Sequence, residues 1–135
     1  MCSSDLEPEI YFYAQRRSAT GYIYTYALME SQPHAREMQQ DMIREIETNR
    51  PEFLVYVSYG GSWLFQPRSD LTILDWCEQY AERFYEPVGF VHKNSADEVE
   101  SFWGDAAKAH LKDGGEYIAI YKRKPEPDIA PAKTD

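Results

Sequence analysis

Two adjacent arginines, Arg16 and Arg17, stand between aromatic-rich runs in the segment EIYFYAQRRSATGYIYTYALM, residues 9–29. Tyrosines recur there at positions 11, 13, 22, 24 and 26. Cations flanked by rings with an apolar body and a polar tip suit an anionic headgroup, a sugar, or the edge of a membrane. The plainer reading of the same residues is half-buried rings beside solvated arginines. A second candidate is the turn Tyr59-Gly60-Gly61-Ser62. Placed after a buried strand, Gly60 and Gly61 could offer backbone N–H groups to an anion. The turn lacks the GxGxxG and GxxxxGKS/T spacings, so a simple tight turn accounts for it. Trp63 and Trp103 lie in loop-like sequence, where a large ring either caps a core or forms a sugar platform.

Catalytic chemistry finds little support. His34, His92 and His110 show neither HxH nor HExxH spacing, so no metal site is expected. Ser58, Ser62 and Ser69 lack a GxSxG elbow. Cys2 and Cys77 form no CxxC pair, and read as a terminal thiol and a small core residue. No catalytic residue, metal ligand or cofactor is assigned.

The elements that must position these groups follow from punctuation and periodicity. Residues 8–17 fit a strand by composition. They also fit a short helix, with Pro8 at its first position, Glu7 and Glu9 at its positive end, and Arg16 and Arg17 at its negative end. The helix is preferred. A strand is expected over residues 22–28, with Tyr22, Tyr24 and Tyr26 on one face. A helix starts near Ser31 and Pro33, with Ala35, Met38, Met42, Ile43 and Ile46 inward, and ends before Pro51. The run FLVYV, residues 53–57, reads as a central strand covered on both faces. Asp70 or Ser69 caps a helix whose inward stripe is Ile73, Leu74, Cys77, Tyr80, Ala81 and Phe84. A third strand is expected from Pro87 to Val91, then a helical segment over 95–111 broken at Gly104, then a last strand over 117–124.

That alternation predicts an α/β fold: a small Rossmann-like layered sandwich with a mostly parallel sheet and right-handed crossovers, its last strand free to run antiparallel. One domain is expected over residues 7–124, followed by a disordered proline-rich tail over 125–135. At 135 residues, 43% hydrophobic and 15% aromatic, the chain can bury a core without disulfides or metals. A net charge of −9 disfavours nucleic acid, which demands a cationic footprint. No apolar run approaches the roughly 18–20 residues of a membrane span. MCSSDLEPE is polar and acidic where a signal peptide is basic and then apolar. A soluble domain is expected.

The run EPEIYFYAQRRSATGYIYTYALME (residues 7–30) resembles the extracytoplasmic C-terminal region of bacterial dolichyl-phosphate-mannose–protein mannosyltransferase-like membrane glycosyltransferases. The resemblance continues through MQQDMIREIE (38–47), SWL (62–64), DWCEQY (75–80), YEPVGFV (85–91), FWGDAAKAH (102–110) and IAIYKRK (118–124). It implies an α/β domain on the extracytoplasmic, periplasmic face of the inner membrane, beside a membrane region using a lipid-phosphate-linked sugar. The family's catalytic acidic residue lies in an early loop between membrane helices, and nothing in this sequence matches it. The family also places a strand before the EPEIYF helix; MCSSDL is short and polar, so an open sheet edge is expected here.

The resulting expectation is a non-catalytic accessory domain that positions a glycan, a lipid-phosphate headgroup or a protein acceptor, through Arg16, Arg17, Tyr22, Tyr24, Gly60, Gly61 and Trp63. Its partner would be the membrane region of a glycosyltransferase. The alternatives are a structural or homodimerising module and, last, a small enzyme built on the Gly60-Gly61 turn with a carboxylate or His92.

Overall fold

In a computed structural model of the chain, residues 2, 3, 9–112 and 114–125 are described. The elements run β1 (Cys2–Ser3), α1 (Glu9–Tyr13), α2 (Tyr26–Met29), α3 (Ala35–Asn49), β2 (Phe53–Ser58), α4 (Thr72–Phe84), β3 (Tyr85–Lys93), β4 (Val99–Trp103), α5 (Asp105–His110) and β5 (Tyr117–Arg123). Residues 7 and 8 at the expected helix start, and 126–135 of the expected tail, lie outside the described residues.

The sheet order is β1-β2-β5-β3-β4. The four main strands, β2, β5, β3 and β4, pair antiparallel throughout. This overturns the Rossmann-like, mostly parallel sheet. Parallel pairing is confined to the two-residue β1, where Cys2 lies opposite Leu54 and Ser3 opposite Val55. The MCSSDL segment, expected to leave that edge open, supplies this short strand.

Two local misreadings explain the wrong topology. Residues 22–28 form no strand: the backbone leading into them, from Ala19 to Tyr22, is bound by side chains instead of a ladder, and Tyr26–Met29 is helical. Ser18 Oγ donates to the Thr20 carbonyl at 2.9 Å and accepts the Thr20 amide at 3.2 Å. Thr20 Oγ1 accepts the Tyr22 amide at 3.2 Å. Helix α3 ties the segment down: Glu45 accepts the Gly21 amide at 2.8 Å, and Asn49 donates to the Ala19 carbonyl at 2.6 Å. The chain then turns into α2, which buries Leu28 and Met29.

The second misreading is residues 95–103. Asn94 Oδ1 accepts the amides of Ala96 and Glu98, at 2.9 and 3.0 Å, and Asp97 takes φ +61°. This is the three-residue loop with a left-handed last position that joins antiparallel strands. Val99–Trp103 is therefore β4, hairpin partner of β3, and only Asp105–His110 is helical. Helix α4 passes into β3 without a connecting residue. β5 then inserts between β2 and β3, central rather than at an edge.

Helix α3 follows its predicted stripe, with one polar addition: Gln39 is buried beside Ala35, Met42 and Ile46. Its side-chain amide donates to the carbonyls of Leu28 and Asp70, and its oxygen accepts the Ile73 amide at 2.9 Å. One side chain thus joins α2, α3 and an otherwise orphaned N–H of α4. The N-cap of α4 is Leu71 rather than Asp70 or Ser69, but Asp70, one residue earlier, accepts the Thr72 amide at 3.0 Å. Those Thr72 hydrogen bonds, with Arg36 behind them, hold its carboxyl below the usual carboxylate range. At the other end of α4, the Lys124 amide donates to the Phe84 carbonyl and its ammonium to the Glu82 carbonyl.

The core gathers Leu28, Met29, Met42, Ile46, Leu54, Trp63, Ile73, Tyr80 and Tyr85 between these helices and one face of the sheet. Further along that face, His110 of α5 stacks on Phe102 at 3.8 Å, with Phe90 buried below. FLVYV is a sheet-interior run, as read, with Leu54, Val55 and Val57 buried.

Candidate functional site

The predicted site residues do not converge. Helix α1 ends in a left-handed Gln15 (φ +51°), with Arg16 N–H reaching back to the Tyr11 carbonyl at 3.1 Å. Arg16 therefore lies past the helix rather than in its last turn. It pairs with Glu52 at 2.9 Å and covers the Phe53 ring at 4.7 Å. Arg17 is exposed beside it. Tyr22 packs at the margin of the core, while Tyr24 is 60% exposed. Gly60 and Gly61 follow the opposite end of β2, a strand of six residues, which is roughly 20 Å of extended chain. The Gly60 amide donates to the carboxylate of Glu116 at 3.2 Å, so this anion position is filled from within the chain.

Trp63 alone joins a larger arrangement. It is 2% exposed and donates its indole N–H to the Val57 carbonyl at 3.1 Å, the core-capping role rather than an exposed platform. Its ring forms one wall of a cavity of about 440 Å³ between α3, α4 and the sheet. The floor is tyrosine. Tyr121 lies opposite Leu54 and Tyr117 opposite Ser58, so both share a sheet face with Tyr56. Tyr56 lies 6.0 Å from the Trp63 ring and 6.3 Å from Tyr117. Trp76, Cys77 and Ile73 of α4 line the opposite side, with Asp75 and Glu78 at the helix surface. Trp76 is fixed by its indole N–H to Glu47 at 3.0 Å and by stacking on Tyr80 at 4.7 Å.

The phenol hydroxyls of Tyr56, Tyr117 and Tyr121 find no hydrogen-bond partner among the described residues. Of buried side-chain polar atoms so placed, only Thr25 Oγ1 is also sealed from solvent, so the three phenol oxygens are not sealed, and all three tyrosines line the cavity. Burial raises the pKa of each, that of Tyr121 to about 12. Burial, reinforced by Glu78, pushes the Cys77 thiol up to about 11. A thiol held protonated at neutral pH is a wall of the cavity rather than a nucleophile. Three neutral hydroxyls, flat apolar rings and two carboxylates can bind and orient a polar ring-sized molecule.

His92 and Ser58 lie outside this lining. His92 pairs with Glu100 at 3.2 Å, and that contact, after the hydrogen bond from Asn94, keeps the Glu100 pKa low. Of the groups the small-enzyme alternative named, the Gly60 amide meets a carboxylate, that of Glu116, while His92 is paired with Glu100. Among the described residues, no group of three or more histidine, cysteine or acidic side chains could hold a metal ion. Nor is any helix among them long and apolar enough to cross a membrane.

Reading residues alone missed Tyr56, Tyr117, Tyr121, Trp76, Asp75 and Glu78. A signal was present: Tyr117 and Tyr121 are four apart on one strand, and Glu78 falls one helical turn from both Leu74 and Ala81 of the inward stripe. No protein-family model, curated protein or solved structure matches the chain.

Proposed function

We propose that this chain is a non-catalytic accessory binding domain, and that its cavity receives a ring-sized group of an acceptor glycan. The observation that carries the reading is the trio of tyrosines Tyr56, Tyr117 and Tyr121, their hydroxyls without a hydrogen-bond partner among the described residues, set in a cavity with Trp63 and Trp76. Sugars offer both apolar ring faces and hydroxyl groups, and this lining answers each: aromatic surface for the first, phenols and carboxylates for the second. The raised thiol pKa of Cys77 supports binding over chemistry at this position. The sequence resemblance to membrane glycosyltransferases supplies the context, an extracytoplasmic domain holding acceptor near a membrane-embedded catalytic region.

Among the described residues the cavity has no basic side chain in its lining, so a lipid phosphate does not suit it. A lipid-phosphate headgroup would be met instead at Arg16 and Arg17. Calorimetric titration of the full chain with neutral mono- and oligosaccharides tests the reading. Saturable binding that Tyr117→Ala and Trp76→Ala each weaken about two- to tenfold is expected, the range of a lost aromatic contact. Absence of saturable binding across the panel, or binding indifferent to both substitutions, overturns it.

A further inference from the structure

The cavity has a one-sided charge as well as a shape. Among the described residues its lining includes Asp75 and Glu78 but no arginine, lysine or histidine. Neither carboxylate is neutralised by an ion pair among the described residues. The negative charge of Glu78 is felt at the walls, where it acts with burial to disfavour ionisation of Tyr56, Cys77, Tyr117 and Tyr121. Arg123, on the same sheet face two residues beyond Tyr121, does not compensate. It is held at the far end by the hydroxyls of Tyr80 and Tyr85, at 3.3 and 3.2 Å.

The geometry points to an organic ammonium group carried on that glycan ring as the preferred feature of what enters the cavity between α4 and the sheet, seated on the faces of Tyr56, Tyr117, Tyr121 and Trp63 with Glu78 beside it. The inference rests on the cavity being a binding site and names the chemistry of what enters. A cation gains from the negative faces of aromatic rings, most strongly where water is excluded. A carboxylate beside it adds charge–charge attraction in a partly desolvated setting. An anion would meet two like charges with no basic group to offset them. The acidic balance of the whole chain, −9, favours the encounter of a cation as well.

Choline and its neutral isostere 3,3-dimethyl-1-butanol, which share a shape and differ by the charge, separate the two claims. In titrations of the full chain followed by tryptophan fluorescence, choline is expected to bind about tenfold tighter than the alcohol. Glu78→Gln is expected to weaken choline about fivefold and the alcohol by a clearly smaller factor. Glu78 is an exposed helix position, so this variant keeps its fold, and an unchanged circular dichroism spectrum checks that. Tyr121→Leu, which removes a ring face and retains apolar bulk, is expected to weaken choline selectively. Equal affinities for the two probes, or tighter binding of the alcohol, overturn the ammonium preference and leave the cavity a binding site. Failure of both probes to bind overturns the ammonium preference, while the saccharide titration decides separately whether the cavity is a binding site.

Discussion

Gln39 and Thr25 are both fully buried polar side chains, and their consequences are opposite. Gln39 makes hydrogen bonds to Leu28, Asp70 and Ile73. Replacing it with leucine leaves two carbonyls and one amide without a partner, and the expected loss is about 2–4 kcal/mol in urea unfolding. Thr25 Oγ1 is sealed and without a partner among the described residues. Thr25→Val removes an unpaid desolvation with little change of shape, so the same measurement is expected to show unchanged or higher stability. A clear loss would mean that the hydroxyl has a partner after all. Neither role was visible in the sequence. Gln39 sits within an amphipathic pattern where a polar letter reads as surface, and only the third dimension brings α2 and α4 to it. Trp63 was singled out for its size and neighbours, and its place in the cavity wall came from the same property. Arg16 and Arg17 were conspicuous by composition, yet Arg16 is explained by Glu52 and Phe53.

Helices α3 and α4 were legible because their inward stripes repeat at helical spacing over three or more turns, far longer than chance apolar runs. The strands β2 and β5 were legible for their β-branched and aromatic density. The hairpin of β3 and β4 was not, because Asn94 and Asp97 build its turn through side-chain hydrogen bonds and a left-handed backbone, without an Asn-Gly or Asp-Gly pair. Pairing in that hairpin depends on a glycine. A Cβ added at Gly89 would stand 2.7 Å from the Trp103 ring and 3.1 Å from Ile120. The Trp103 ring therefore lies over the bare backbone of its cross-strand neighbour. Gly89→Val is expected to displace that ring and cost about 1–3 kcal/mol, the usual penalty of overpacking. Thermal unfolding reads the loss, and Trp103→Ala in the same background is expected to recover part of it, since the obstacle is then gone. No recovery would place the clash elsewhere.

At the scale of the whole molecule, the antiparallel sheet decides where a site can form. Helices α3 and α4 lie over β2 and β5, so the tyrosines of those two strands face the inner side of α4. Chain order alone could not supply this, because β5 enters the sheet between two strands that precede it. The same enclosure governs the response to alkali. Folded pKa values of about 11 for Cys77 and about 12 for Tyr121 lie above the ordinary 9.0 and 10.0. The unfolded chain then releases these protons first, so stability is whole below pH 9 and falls as pH rises through 11 and 12. Melting temperatures across that range are expected to fall less steeply in Cys77→Ser and Tyr121→Phe. Slopes equal to the wild type would show that these groups are not enclosed. Binding in the cavity is the centre of the account, and the three tryptophans report on it separately: Trp63 and Trp76 line the cavity, while Trp103 lies against Gly89 on the opposite sheet face. The decisive measurement follows the three indole N–H resonances during titration of the labelled chain with a neutral oligosaccharide. Saturable movement of the Trp63 and Trp76 signals, with Trp103 fixed, is the predicted result; stationary Trp63 and Trp76 signals, or movement of Trp103 alone, would contradict it.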